Sequence, residues 1–126
     1  MVRMFPRSIK NEFEYYRYKR TKPDGCAFCM IDIQGSEQIV EYGEHTAVLK
    51  NKFPYSRWDG RKVVDHLMII PVKHVTLLNK LTPDATKELL DVVTRYEEEG
   101  YSFYIRSPHN KSRSVAHIHG HLIKLR

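Results

Sequence analysis

Three histidines alternate with apolar or small residues near the end of the chain: Ser114-Val115-Ala116-His117-Ile118-His119-Gly120-His121-Leu122-Ile123. In an extended strand the side-chain period is two, so His117, His119 and His121 would share one face. Ile118 and Leu122 would face the other way and bury. A row of imidazoles has two chemical uses. It can ligate a metal, or it can do nucleophilic and proton-transfer chemistry on an anion, because neutral imidazole is both a nucleophile and a proton carrier near neutral pH. The plain alternative is a His-rich surface strand.

A second group of donors lies far upstream. Cys26 and Cys29 form a C-x-x-C pair. A thioredoxin-like redox role would want the pair to open a helix after a strand. Here it follows the turn-forming Thr21 to Gly25, which weakens that reading. A zinc site needs four N or S ligands, and the pair supplies two. Two buried free thiols are the remaining alternative.

These residues need a scaffold. The chain has 126 residues, enough for one domain spanning 1–126 with a core of its own. Its formal charge is +6, spread along the chain and not gathered into a tail. That balance suits anionic ligands without marking a dedicated nucleic-acid arm. No apolar run approaches the roughly 20 residues of a membrane span, and Met1 to Pro6 lack the apolar stretch of a secretory signal. The expected location is the cytoplasm, with no membrane partner.

The pattern predicts a short amphipathic helix over Ser8 to Arg20. Strands are expected at Gln38 to Tyr42, Thr46 to Lys50 and Val63 to Pro71, with a polar, aromatic loop over Asn51 to Lys62. A long helix is expected from Pro83 to about Glu99. Thr82 is its N-cap, Pro83 its first residue and Gly100 its stop. Leu89, Leu90, Val93 and Tyr96 are its expected apolar face. Strands are then expected at Tyr101 to Arg106 and Val115 to Lys124. Strands, one long helix and strands again argue an α+β fold with an antiparallel sheet of about five strands.

The motifs together resemble the histidine triad superfamily, which includes nucleotide-binding hydrolases and diadenosine polyphosphate hydrolases. The triad itself carries the resemblance, with Ser114-Val115 ahead of it. So do Cys26-Ala27-Phe28-Cys29, Asn51-Lys52-Phe53-Pro54-Tyr55 and the strand from His66 through Pro71 to His74 and Val75, all in the family's order. The resemblance implies that His119 attacks an α-phosphate and forms a covalent nucleotidyl-histidine. It implies that His121 binds phosphate oxygens and that Ser114 serves the phosphate or the leaving group. It places Asn51 at the ribose and Phe53 beside the base. It points to Cys26, Cys29, His74 and His117 as ligands of a structural zinc, and to a homodimer that pairs the long helix and a sheet edge.

The chain departs from the family pattern at Gly120, where an apolar residue is usual. It departs again in Arg106 to Arg113, which lacks the usual glycines. Arg106, Asn110 and Arg113 are expected to take over phosphate contacts there, since arginine forks onto phosphate oxygens. The resulting expectation is a nucleotide hydrolase or transferase acting on a phosphoanhydride or phosphoramidate. Two alternatives are a non-catalytic nucleotide- or RNA-binding module of the same fold, and a zinc-centred interaction domain.

Overall fold

The computed structural model describes residues 7–11, 26–110 and 115–126. Residues 9–11 are helical; the rest of the helix expected over Ser8 to Arg20 lies outside the described residues, as do Arg113 and Ser114. The ordered elements are β1 (Ile39–Tyr42), β2 (Thr46–Lys50), β3 (Arg57–Trp58), β4 (Arg61–Pro71), a 3-10 turn (Leu78–Lys80), α1 (Pro83–Glu98), β5 (Tyr101–Tyr104) and β6 (Gly120–Leu125). The strands form an antiparallel sheet in the order β1-β2-β4-β6-β5, with β3 paired to the start of β4. This is the α+β architecture expected, with one strand more.

That extra strand comes from a turn. Asp59 and Gly60 both take positive φ, 53° and 72°, as the two central residues of a type I′ hairpin turn do. The Asp-Gly pair therefore folds Arg57–Trp58 back on Arg61–Lys62. The second half of the segment expected as a plain loop, Arg57 to Lys62, is a hairpin, and β4 starts two residues earlier than Val63.

The helix begins as expected. The Thr82 hydroxyl accepts from the Ala85 amide at 3.1 Å, Pro83 takes the first turn, and Gly100 stops it at φ 96°. Its buried stripe is Ala85, Leu89, Val92, Val93 and Tyr96. Leu90 is not on it: at helical spacing it falls outside the 89-92-93-96 face, and it is exposed. The stripe packs with Val48, Leu67, Ile69 and Leu122 on one face of the sheet. The opposite parity, Ala47, Leu49, Met68 and Ile70, packs with Phe28 on the other face. The helix therefore covers one side of the sheet and leaves the other for chemistry.

Gly120 is explained on the helix side. A Cβ there would lie 2.1 Å from Cε1 of the Phe103 ring on neighbouring β5. The glycine makes room for a partly buried phenylalanine packed against the core. Gly120→Val is expected to cost about 1–3 kcal/mol through overpacking. In Phe103→Ala the same change should cost at least about 1 kcal/mol less, because the two sites touch. Urea unfolding of the double-mutant cycle measures this, and strict additivity would remove the Phe103 explanation.

Candidate active site and metal centre

The triad is only partly a strand. β6 starts at Gly120, so His121 is a strand residue while His117 and His119 precede it, in contrast to the strand expected from Val115. The approach segment is held by its own bond: the Ile118 amide donates to the Val75 carbonyl at 2.7 Å, beside His74. All three histidines are buried. Ring contacts join them into one row, with His119 to His121 at 5.4 Å and Phe28 in edge contact with His117 (5.8 Å) and tilted against His119 (5.0 Å). Likewise β5 ends at Tyr104, short of Arg106.

Each imidazole has its tautomer set by a fixed partner. His117 donates from Nε2 to the Pro71 carbonyl at 2.8 Å, which turns the Nδ1 lone pair toward Cys26 and Cys29. Its carbonyl accepts from His119 Nδ1 at 3.0 Å, so the His119 lone pair is on Nε2. The Tyr55 amide can only donate, and it donates to His66 Nδ1 at 3.0 Å. His66 therefore carries its proton on Nε2 and donates it to His121 Nδ1 at 2.9 Å. His121 is left with its own proton on Nε2. The row thus presents a nucleophilic nitrogen on His119 next to a donor on His121.

Burial sets the charge of the pair. It is the largest cause that pulls His66 down to about 3, with the Arg7 and Arg106 charges adding to it. Burial likewise depresses His121, followed by His66 and His119 and then the two arginines. Both are neutral at pH 7. In the unfolded chain both would titrate near the ordinary value of about 6.5. Below that pH the unfolded state binds protons that the folded state refuses, so stability falls with acidification from about 6.5 toward 3. The expected loss is about 2 kcal/mol per histidine between pH 6.5 and 5. Denaturant unfolding across that range should show it, with a smaller slope in His66→Gln. An equal slope in both proteins would mean that His66 is not buried neutral.

His66 is the site residue that sequence reasoning passed over. In the sequence it falls within the strand expected over Val63 to Pro71. It shares the parity of Met68 and Ile70, but the pairing Met68↔His121 and His66↔Ile123 that sets it beside His121 is a property of register.

Cys26, Cys29, His74 and His117 come together from three segments. Their Sγ and nitrogen donor atoms all lie within 4.8 Å of one another. His117 Nδ1 is 3.5 Å from Cys26 Sγ and 3.4 Å from Cys29 Sγ, and His74 Nδ1 is 3.2 Å from Cys29 Sγ. A tetrahedral zinc with ordinary bond lengths sets N···S separations of about 3.5 Å. The donor set and spacing fit that ion. The thiols are not buried: Cys26 is half-buried and Cys29 exposed. Desolvation, then the Cys26 sulfur, push the Cys29 thiol up, and a bound dication would reverse that. Pro71 supplies the outer partner that orients a histidine ligand.

Asn51, Phe53 and Arg106 lie at the other end of the row. Asn51 Oδ1 accepts from the Phe53 amide at 2.8 Å and its Nδ2 sits 3.3 Å from His66 Nε2, so it shapes the loop beside the histidine pair. Phe53 is half-buried and its carbonyl accepts from Arg7 Nε at 2.6 Å. Arg106 donates to the Tyr55 hydroxyl, and its Cζ lies 5.5 to 5.9 Å from the Tyr55, Trp58 and Tyr104 rings. Asn110 is exposed and closes a turn on the Ser107 carbonyl at 3.0 Å. Among the described residues, no helix is long and apolar enough to cross a membrane.

The fold has known counterparts. A histidine triad nucleotide-binding protein from Candida albicans is 21% identical, with 81% of this chain and 76% of that chain covered and a TM-score of 0.63. A HIT family hydrolase from Legionella pneumophila is 22% identical over 81% of this chain and 94% of that one, TM-score 0.58. A zinc-bound histidine triad family protein from Mycobacterium smegmatis is 20% identical over 81% and 76%, TM-score 0.58. Comparison with curated proteins finds no match. The HIT domain family model matches residues 34–126, from just beyond the cysteine pair to the end of β6, and the chain belongs to that family.

Proposed function

We propose that this protein cleaves nucleotides at the α-phosphate, by hydrolysis or transfer, through a covalent nucleotidyl-His119. One observation carries the reading. The His117 carbonyl holds the Nδ1 proton of His119, so Nε2 has the lone pair, and it lies next to the neutral donor His121. In the reaction Nε2 forms a bond to the α-phosphorus as the bond to the leaving oxygen or nitrogen breaks. His121 Nε2–H donates to a phosphate oxygen. Ser114 donates its hydroxyl proton to the leaving group as that departs, and takes one back from the attacking water or other acceptor in the second step. Water or another acceptor then attacks phosphorus, the P–N bond breaks, and His119 is restored.

Asn51 and Phe53 hold ribose and base in this reading, and Arg106, Asn110 and Arg113 supply phosphate contacts. Cys26, Cys29, His74 and His117 hold a structural zinc. Four protein donors close its coordination, so the ion would supply an anchor for His117 and no open position for water. The nucleotide-binding and zinc-bound relatives support these assignments by their fold.

The test is a quench of the protein mixed with adenosine phosphoramidate or a diadenosine polyphosphate, read by mass spectrometry. The expected result is an acid-labile gain of one nucleoside monophosphate on the peptide carrying His119. Turnover without any adduct would point to direct attack by water. The assembly proposed is a cytoplasmic homodimer. β5 is an edge strand and Leu90 is exposed on α1, while Leu89 and Val93 are spent in the chain's own core. Sedimentation of wild type and Leu90→Glu tests this: a monomer in both would refute the dimer.

A further inference from the structure

Arg7 lies outside the stretch that matches the HIT domain, yet residues 7–11 are seated on the Asn51 to Tyr55 loop. Arg7 Nε donates to the Phe53 carbonyl at 2.6 Å, and its guanidinium carbon stands 4.9 Å from the centre of the Tyr55 ring. Asn11 Nδ2 donates to the Pro54 carbonyl at 3.3 Å. Proline has no N–H, so the Phe53–Pro54 peptide has only its carbonyl to place, and Arg7 takes it. The next peptide has both groups. Its carbonyl accepts from Asn11, and its N–H is the Tyr55 amide that donates to His66 Nδ1 at 3.0 Å. Asn11 and His66 therefore hold opposite sides of one peptide plane. His66 in turn donates from Nε2 to His121 Nδ1 at 2.9 Å. A line of hydrogen bonds thus runs from the N-terminal segment to the triad.

We propose that Arg7 and Asn11 are positioning residues for the histidine row: they pin the Pro54 turn so that the Tyr55 amide stays on His66, and His66 then keeps His121 as a donor from Nε2. The effect on turnover rests on the catalytic reading above; the effect on the imidazoles stands without it. A neutral His66–His121 pair has two hydrogen-bonded arrangements. In one, His66 Nε2–H donates to His121 Nδ1. In the other, His121 Nδ1–H donates back to His66 Nε2, and His121 Nε2 is left with a lone pair that cannot donate to a phosphate oxygen. Asn51 favours the second. Its Oδ1 accepts from the Phe53 amide, so Nδ2 is the atom 3.3 Å from His66 Nε2, and an amide nitrogen only donates. The Tyr55 amide favours the first, because an N–H aimed at His66 Nδ1 requires a lone pair there. The two preferences oppose each other, so the grip on the Tyr55 peptide decides between them. Arg7 carries the larger share of that grip. Its bond comes from a charged donor, and its guanidinium also stands over the buried Tyr55 ring, which lies 4.3 Å from His66.

The test reads the tautomers by nitrogen NMR of the histidine rings in isotope-labelled wild type, Arg7→Ala, Asn11→Ala and Arg7→Lys. In wild type the protonated nitrogen of both His66 and His121 is expected to be Nε2. Arg7→Ala should mix the two arrangements and move the nitrogen shifts of both rings toward their average. His117 and His119 should not move, since their partners are the Pro71 and His117 carbonyls. Asn11→Ala should move His66 and His121 less, and Arg7→Lys, which keeps a charged donor, should return most of the wild-type shifts. Unmoved His66 and His121 rings in Arg7→Ala overturn the proposal. So do shifts that move equally in all four rings, which would mean a general loosening. If Arg7→Ala does not fold, Asn11→Ala reads the same rings, and no movement there overturns it. A second arm follows turnover of adenosine phosphoramidate. In Arg7→Ala kcat is expected to fall about tenfold with KM within about twofold of wild type. A raised KM with unchanged kcat would make the segment a brace for the nucleotide loop alone, and would overturn its hold on the row. If wild type turns over no nucleotide, the catalytic reading fails alone, and the ring nitrogens still decide this one.

Discussion

His119→Ala is expected to lower kcat/KM by about a thousandfold or more on any nucleotide the protein turns over. The size of the loss follows from what the change removes. The Nε2 lone pair is the attacking atom, and neither neighbour can replace it. His117 Nδ1 is turned to the cysteine cluster and its Nε2 proton is given to Pro71. His121 Nδ1 accepts from His66, and its other nitrogen carries a proton. Direct attack by water on a phosphate still held by His121 is all that remains. The substitution also empties a buried position against Phe28, so some stability is lost, on the order of 1–3 kcal/mol. Circular dichroism on the same sample separates the two effects, since a folded protein with no activity isolates the chemistry. Added imidazole should restore measurable turnover in His119→Gly, because a free imidazole can fill the space and attack. A folded His119→Ala within tenfold of wild type would remove the covalent mechanism. His121→Ala is expected to lose less, because it removes a donor to charge and not the attacking atom.

The parts that were legible in the sequence follow local rules. The helix from Pro83 showed its cap, its first-turn proline and its glycine stop, and each is a property of a few adjacent residues. The β1–β2 hairpin and the strand to Pro71 were legible by β-branched runs between turn signals. Leu90 is as apolar as Leu89, but the 3.6-residue period turns it away from the buried stripe. Val92 occupies the place on the stripe that Leu90 cannot reach. His117 and His119 alternate like a strand, but the strand begins only at Gly120, because the Ile118 amide is committed to Val75 and the His117 carbonyl to His119 Nδ1. The Asp59-Gly60 turn carried its own signal and could have been read as a hairpin. His66 and Arg7 could not have been placed by any local rule. One depends on the register of β4 against β6, the other on a segment far upstream folding over the Phe53 loop. The four metal donors were named through family resemblance, since two histidines 43 residues apart and a distant cysteine pair have no spacing signal of their own.

Removal of metal is the second change with a large expected effect. The protein as purified should carry about one zinc per chain, and chelation should lower its melting temperature by on the order of 10 °C. Cys26→Ser should do the same without a chelator. The reason is where the four donors come from. Cys26 and Cys29 flank Phe28, which packs in the core on the site face of the sheet. His74 follows the end of β4, and His117 belongs to the segment that enters β6. A single ion would tie these three segments together, and binding only the folded state would stabilise that state by about 4 kcal/mol when free zinc exceeds its dissociation constant a thousandfold. The consequence reaches the chemistry through one residue. His117 offers Nδ1 to the cluster, Nε2 to Pro71 and its carbonyl to His119, so freeing one end of that residue loosens the partner that holds the His119 proton. The metal-free protein should therefore lose kcat more than it raises KM, below its own melting temperature and reversibly on adding zinc. Unchanged melting and unchanged kcat after chelation, with metal analysis showing that zinc has left, would reduce the four donors to a hydrogen-bonded cluster. The bonds of Ile118 to Val75 and of His117 to Pro71 would then hold this segment without an ion.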